Sequence, residues 1–115
     1  MVDVTRKDPS ARRAVAEGRI LMDADTLERI RSGTSPKGDP LQVAQIAGIM
    51  AGKRTGELIP ILHQLPDASI DLALYADEAL PGILATAEAS ISGQTGVDME
   101  SLNEVSVDLL TLYDM

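Results

Sequence analysis

Two periodicities divide this chain of 115 residues. From Ser69 to Ala76, Ile70, Leu72 and Leu74 share one side and Asp71 lies on the other. From Ile83 to Ser92, Ile83, Ala85, Ala87, Ala89 and Ile91 oppose Thr86, Glu88, Ser90 and Ser92. A period of two with one apolar face predicts half-buried strands, and the turn residues from Asp77 to Gly82 join them as an antiparallel pair. Elsewhere the period is three to four. Val43, Ile46, Ala47 and Met50 form one stripe, and Leu102, Val105, Leu109, Leu112 and Tyr113 form another. Two amphipathic helices are expected, each burying its stripe.

Local signals set the expected ends. Asp39 is suited to cap the first helix and Pro40 to open it; Lys53 and Arg54 suit its last turn, and Gly56 its end. Ala44, Gly48, Ala51 and Gly52 leave other parts of this helix bare enough for close approach by a neighbour. Asp98 is read as the cap of the second helix. Arg19 to Met22 predicts a short strand. A brief helix capped by Asp23 or Asp25 then runs through Arg31 and ends at Ser32-Gly33. Pro60 precedes a predicted strand, Ile61 to Leu65, that carries His63. Residues 1 to 13 are polar, charged and broken by Pro9, and are expected to form a mobile arm.

This length is that of a single domain able to fold without staples. The absence of cysteine removes disulfides and thiolate metal sites. With no Phe or Trp, the core must come from Leu, Ile, Val, Ala and Met, and stacking platforms for single-stranded nucleic acid are missing. A net charge of −8 opposes phosphate backbones, so nucleic acid is not an expected partner. No apolar run reaches the roughly 20 residues of a membrane span, and MVDVTRKDPS lacks a signal-peptide core, so a cytoplasmic protein is expected. The charge is uneven: residues 1–54 hold ten bases and seven acids, a balance of +3, whereas residues 55–115 hold eleven acids and no base. Either this is an ordinary acidic surface, or the basic half of one subunit meets the acidic half of another.

Several charged residues stand out by position. Lys37 precedes a helix N-terminus, where a cation is disfavoured; it is either a solvated loop lysine or one that shares an anion with the free N–H groups. Asp114 sits at the negative end of the last helix, so either that helix is meant to continue or Asp114 is held for function. Arg12 and Arg13 read as a solvated pair or as a phosphate clamp. His63, the single histidine, is a weak metal ligand without a second His or Cys.

Lys37-Gly38-Asp39, Ile46-Ala47-Gly48, Lys53-Arg54-Thr55, Leu58-Ile59-Pro60 and His63 resemble, in order and spacing, the signature of the MoaC family, the cyclic pyranopterin monophosphate synthases of molybdenum cofactor biosynthesis. Met1-Val2-Asp3-Val4, Thr95-Gly96-Val97-Asp98-Met99-Glu100, Val105-Ser106-Val107 and Leu112-Tyr113-Asp114-Met115 extend the likeness over nearly the whole chain. The resemblance implies an α+β, ferredoxin-like fold with an antiparallel sheet and helices packed on one face. It also implies a homo-oligomer, a hexamer built as a trimer of dimers, with its site at the subunit interface.

The implied substrate is the guanosine-derived cyclic triphosphate, (8S)-3',8-cyclo-7,8-dihydroguanosine 5'-triphosphate, rearranged with release of diphosphate. No resident cofactor is implied beyond Mg2+ accompanying the triphosphate. Lys37, His63 and Asp114 are the implied catalytic residues, and Ile61, Leu62, His63, Met99 and Glu100 the implied substrate contacts, joined by Arg12 and Arg13 if they act as a clamp. Leu62 replaces a usual cysteine, Gln64 a common proline, Gln94 a frequent basic residue and Asp98 a usual glutamate. The family carries a second functional lysine beyond the position of Met115, so a chain ending there is expected to keep the fold with impaired or absent turnover. The alternative on the same scaffold is a non-catalytic oligomer that binds a nucleotide or another anion.

Overall fold

The computed structural model describes residues 10–33, 36–59, 62, 68–93 and 96–115. Three strands, β1 (Ser10–Leu21), β2 (Ser69–Asp77) and β3 (Gly82–Gly93), form an antiparallel sheet in the order β1-β3-β2. Helices α1 (Ala24–Ser32), α2 (Pro40–Lys53), the single turn α3 (Thr55–Leu58) and α4 (Asp98–Asp114) complete the chain. The β2–β3 hairpin and the α+β class follow the alternation in the sequence. Ala79 N–H donates to the Asp77 carboxylate at 2.9 Å, as a side-chain-closed turn requires.

Small residues bring the layers close. Ala85, Ala87 and Ala89 of the central strand are fully buried, and Ala87 stands in register with Ala16 on one side and Leu72 on the other. Val105 of α4 closes that cluster. A Cβ placed on Gly18 would lie 2.8 Å from both Leu109 Cδ1 and Val105 Cγ1, so α4 settles on β1 only because that side chain is absent. Leu27 of α1, Ala44, Ile83 and Leu112 make a second cluster at the other end of the helix layer.

The helix α2 does not bury the expected stripe. Val43, Ile46 and Met50 are 39%, 56% and 45% exposed, whereas Pro40, Ala44, Gly48, Ala51 and Gly52 are buried. Contact with α4 runs through the bare residues, because two helices gain more dispersion contact by approaching closely than by standing apart on long side chains. The stripe on α4 is likewise displaced. Leu102 and Tyr113 are exposed, and Glu100, Ser101, Glu104 and Asp108 join Val105 and Leu112 on the buried side.

Other boundaries also differ. The expected arm is strand from Ser10 onward, and the predicted Arg19–Met22 strand is the end of that longer β1. The α2 helix stops at Lys53, and Gly56 lies inside α3 instead of ending α2. Val97, not Asp98, is the N-cap of α4, and no side-chain cap is formed there. Of the predicted strand from Ile61 to Leu65, Leu62 is described and is not in a strand, whereas Ile61, His63, Gln64 and Leu65, like Gln94, lie outside the described residues.

Candidate active site

Lys37 is placed by backbone chemistry on both sides of it. Gly38 takes φ +104, a conformation that favours glycine, and turns the chain into Asp39. Asp39 then caps α2 by accepting from Leu41 N–H at 3.1 Å and Gln42 N–H at 3.5 Å. At the far end of the chain, α4 leaves its last carbonyls without helical partners. Lys37 Nζ donates to the Asp114 carbonyl at 3.2 Å and stands 3.7 Å from Asp114 Oδ2. Two residues predicted from opposite ends of different helices thus meet.

They meet because α2 and α4 run antiparallel. Ala44 packs with Leu112, Gly48 with Asp108 and Glu104, and Asn103 Nδ2 donates to the Ala51 carbonyl at 2.9 Å. Beside the Lys37–Asp114 pair opens a cavity of about 610 Å³, lined by Ile20, Met22, Pro36, Arg29, Tyr113 and Met115 among others. That volume suits a small-molecule ligand. Arg29, on α1, brings a cation into this cavity and was not singled out from the sequence; its place in the last turn of a short helix carried no signal beyond the dipole.

The remaining described candidates lie elsewhere. Leu62 follows α3 and its N–H donates to the Ile59 carbonyl at 3.3 Å. Met99 and Glu100 are in the first turn of α4, where Met99 is exposed and Glu100 buried. Burial pushes the Glu100 carboxyl above its ordinary range, with the neighbouring Asp98 charge adding to the rise. Because β1 runs alongside α4 in the same direction, with Ala16 in the cluster of Val105, Gly18 against Val105 and Leu109, and Ile20 packed on the cluster that holds Leu112, Arg12 lies towards the end of the sheet where α4 begins. Seventeen residues of α4 put its two ends about 24 Å apart. Lys37 and Asp114 occupy one end; Arg12, Met99 and Glu100 occupy the other.

Adjacent strand residues point to opposite faces, which separates Arg12 from Arg13. Arg12 shares the helix-facing side with Ala16, and its Nε is buried without a hydrogen-bond partner among the described residues. Arg13 is on the open face and forms a two-pronged pair with Glu88, its Nη2 3.1 Å from Oε2. Hydrogen bonds from Arg13 hold the Glu88 carboxyl below its ordinary range. The two arginines therefore do not form one clamp within a subunit.

A profile of the MoaC family matches residues 1–115. This chain belongs to the MoaC family. A cyclic pyranopterin monophosphate synthase of Cereibacter sphaeroides is 52% identical over 115 residues, covering all of this chain and 72% of the relative. Proteins of the same name from Methylobacterium nodulans and Novosphingobium aromaticivorans are 55% and 56% identical, again over the whole chain and 72% of each relative. The Lys37–Asp114 contact in this MoaC chain thus joins two positions that the family signature had marked separately. The described residues contain no cluster of three or more His, Cys, Asp or Glu able to hold a metal ion, and no helix long and apolar enough to cross a membrane.

Proposed function

We propose that this chain is a cyclic pyranopterin monophosphate synthase of molybdenum cofactor biosynthesis, acting in the cytoplasm on (8S)-3',8-cyclo-7,8-dihydroguanosine 5'-triphosphate. The observation that carries this reading is the Lys37–Asp114 pair beside the 610 Å³ cavity, in a chain of this family. The reaction requires several proton transfers and the departure of diphosphate. A lysine and a carboxylate within reach of each other supply an acid–base couple for the first. Arg29, Arg12 and the Lys37 ammonium supply positive charge for the second. In this reading Lys37 moves a proton to or from the rearranging substrate, Asp114 acts as the acid, and His63 completes the set. Ile61, Leu62, Met99 and Glu100 line the substrate, and Mg2+ enters with the triphosphate rather than as a resident cofactor.

The site is further proposed to be shared between subunits of a homo-oligomer, a hexamer. One substrate molecule does not bridge about 24 Å of helix, so residues at the two ends of α4 serve one substrate only when the ends come from different subunits. The exposed stripe Val43, Ile46 and Met50 on α2 provides apolar surface for such assembly.

Diphosphate release from the cyclic triphosphate tests the reading directly. The expected result is slow turnover by this chain, or turnover once it is extended by a lysine-containing tail from a relative, that is lost in Lys37→Ala and Asp114→Asn. Binding of the nucleotide with no diphosphate released, also after extension by a lysine-containing tail from a relative, would assign the chain to non-catalytic nucleotide binding instead.

A further inference from the structure

We infer that Glu104 and Asp108 form a proton-dependent latch between α2 and α4, closed while the two carboxyls are neutral and opened when they ionise, so that the register of Lys37 against Asp114 depends on pH. The two residues are four apart and therefore lie one above the other on α4. Both are 0% exposed, and among the described residues none of their four carboxylate oxygens has a hydrogen-bond partner. The backbone of α2 seals them in. A Cβ on Gly48 would lie 3.0 Å from Asp108 Cβ, and one on Gly52 would lie 3.4 Å from Glu104 Oε2.

Among the described residues, the surroundings offer these carboxyls no compensating charge or hydrogen bond. From α2 they meet glycines, and Lys53 of that helix is exposed. From β2 they are faced by Ile70 and Leu72 beside those glycines, while the charge of Asp71 opposes that of Glu104. From β1 the packed residues are Ala16 and Gly18; Arg12 is the charged residue on that side, and no ion pair among the described residues joins it to the acids. On β3, Glu88 is taken up by Arg13 on the open face. On α4, Glu100 is a third buried acid one turn earlier, and the Asn103 amide is committed to Ala51 and Thr55. Two uncompensated charges at this depth are far costlier than two neutral acids. Burial accordingly pushes Glu104 up to about 8, with Asp71 and Asp108 adding to the rise, and Asp108 up to about 7.

Folded-state values above the ordinary 4.5 and 3.8 mean that the folded chain holds protons the unfolded chain has released. Stability contributed by the neutral pair is complete below the ordinary values, falls as pH rises, and is exhausted above about 8 for Glu104 and about 7 for Asp108. Each carboxyl lowers the folding constant by up to about tenfold per pH unit inside its window.

The test compares the native chain with E104Q/D108N between pH 5 and 9.5, following both thermal unfolding and backbone hydrogen exchange corrected for intrinsic base catalysis. The expected result is a native chain whose α2 and α4 amides, including the last turn bearing Asp114, lose protection as pH rises from 5 to about 8 and level off above it, and a variant in which that loss is abolished. Carboxyl-carbon NMR of the native chain reads Glu104 and Asp108 directly, whether or not the variant folds. Titration of both below pH 5, or the same loss of protection in the folded variant, overturns the latch.

Discussion

Lys37 and Asp114 each occupy a position that helix electrostatics disfavours when the helices are taken singly: a cation before the start of α2, an anion at the end of α4. Antiparallel packing cancels both penalties, since the lysine that repels one dipole neutralises the other and bonds its terminal carbonyl at 3.2 Å. Both side chains are more than half exposed, so the pair adds little to stability. Lys37→Ala and Asp114→Asn are therefore expected to change the unfolding free energy by less than about 0.5 kcal/mol, while diphosphate release falls about 100-fold or more. Denaturant titration beside the activity assay separates the two effects. A large stability loss in either variant would make the contact structural. Gly48 presents the opposite case. Alanine there gains roughly 1 kcal/mol of helix propensity, but its Cβ would come within 2.6 Å of Leu72 Cδ2 and 3.0 Å of the Glu104 carbonyl oxygen. Overpacking of that kind costs about 1–3 kcal/mol, so Gly48→Ala is expected to lower the melting temperature. An unchanged or raised melting temperature would mean that α2 and α4 do not pack this closely.

At the scale of the elements, periodicity located the helices and the hairpin but misjudged which helix face is buried. The Asp39-Pro40 start of α2, the Asp23 cap with Gly33 closing α1, and the alternation of β2 and β3 are local chemistry and were legible. The buried side of α2 was not, because hydrophobicity ranks Ile46 and Met50 above Gly48 and Ala51, whereas helix contact selects the smaller residues. For α4 a signal was present and ran against expectation: Glu100, Glu104 and Asp108 recur every four residues and so share a face, which ordinarily reads as solvated. Only tertiary packing places that face inward. β1 was missed over most of its length because its helix-facing side offers Arg12, Ala14, Ala16 and Gly18 in place of large apolar residues, while Arg13, Glu17 and Arg19 on the open face make it resemble a polar arm. The exposed stripe on α2 then predicts its own use. Ile46→Glu and Met50→Glu, at exposed positions of the monomer, are expected to leave secondary structure and thermal unfolding of the isolated subunit intact and to dissociate the oligomer. Sedimentation velocity reads this, and an unchanged sedimentation coefficient for both variants would remove α2 from the interface.

Across the whole molecule, the strongest constraint on function is length. The family signature spreads its candidate positions along the full sequence, and the fold gathers Lys37 and Asp114 at one end of a helix layer about 24 Å long and Arg12, Met99 and Glu100 at the other. Residue-by-residue matching had marked the positions but not this separation, which depends on α2 and α4 being antiparallel and on β1 running alongside α4. On the shared-site proposal the two groups that serve one substrate come from two subunits, and a two-fold interface would make two equivalent sites, each taking one group from each chain. Lys37→Ala removes one group and Arg12→Ala weakens the other, so each homogeneous variant is expected to be inactive or nearly so. In an equal mixture that has exchanged subunits, half of the pairs contain one chain of each kind. Each such pair carries one doubly defective site and one intact site, and about a quarter of native diphosphate release should return. Native mass spectrometry establishes that mixed pairs have formed. If they have and activity stays at the sum of the separate variants, each site is contained within a single subunit, and the residues at the α4 N-terminus belong to something other than the chemistry at Lys37 and Asp114.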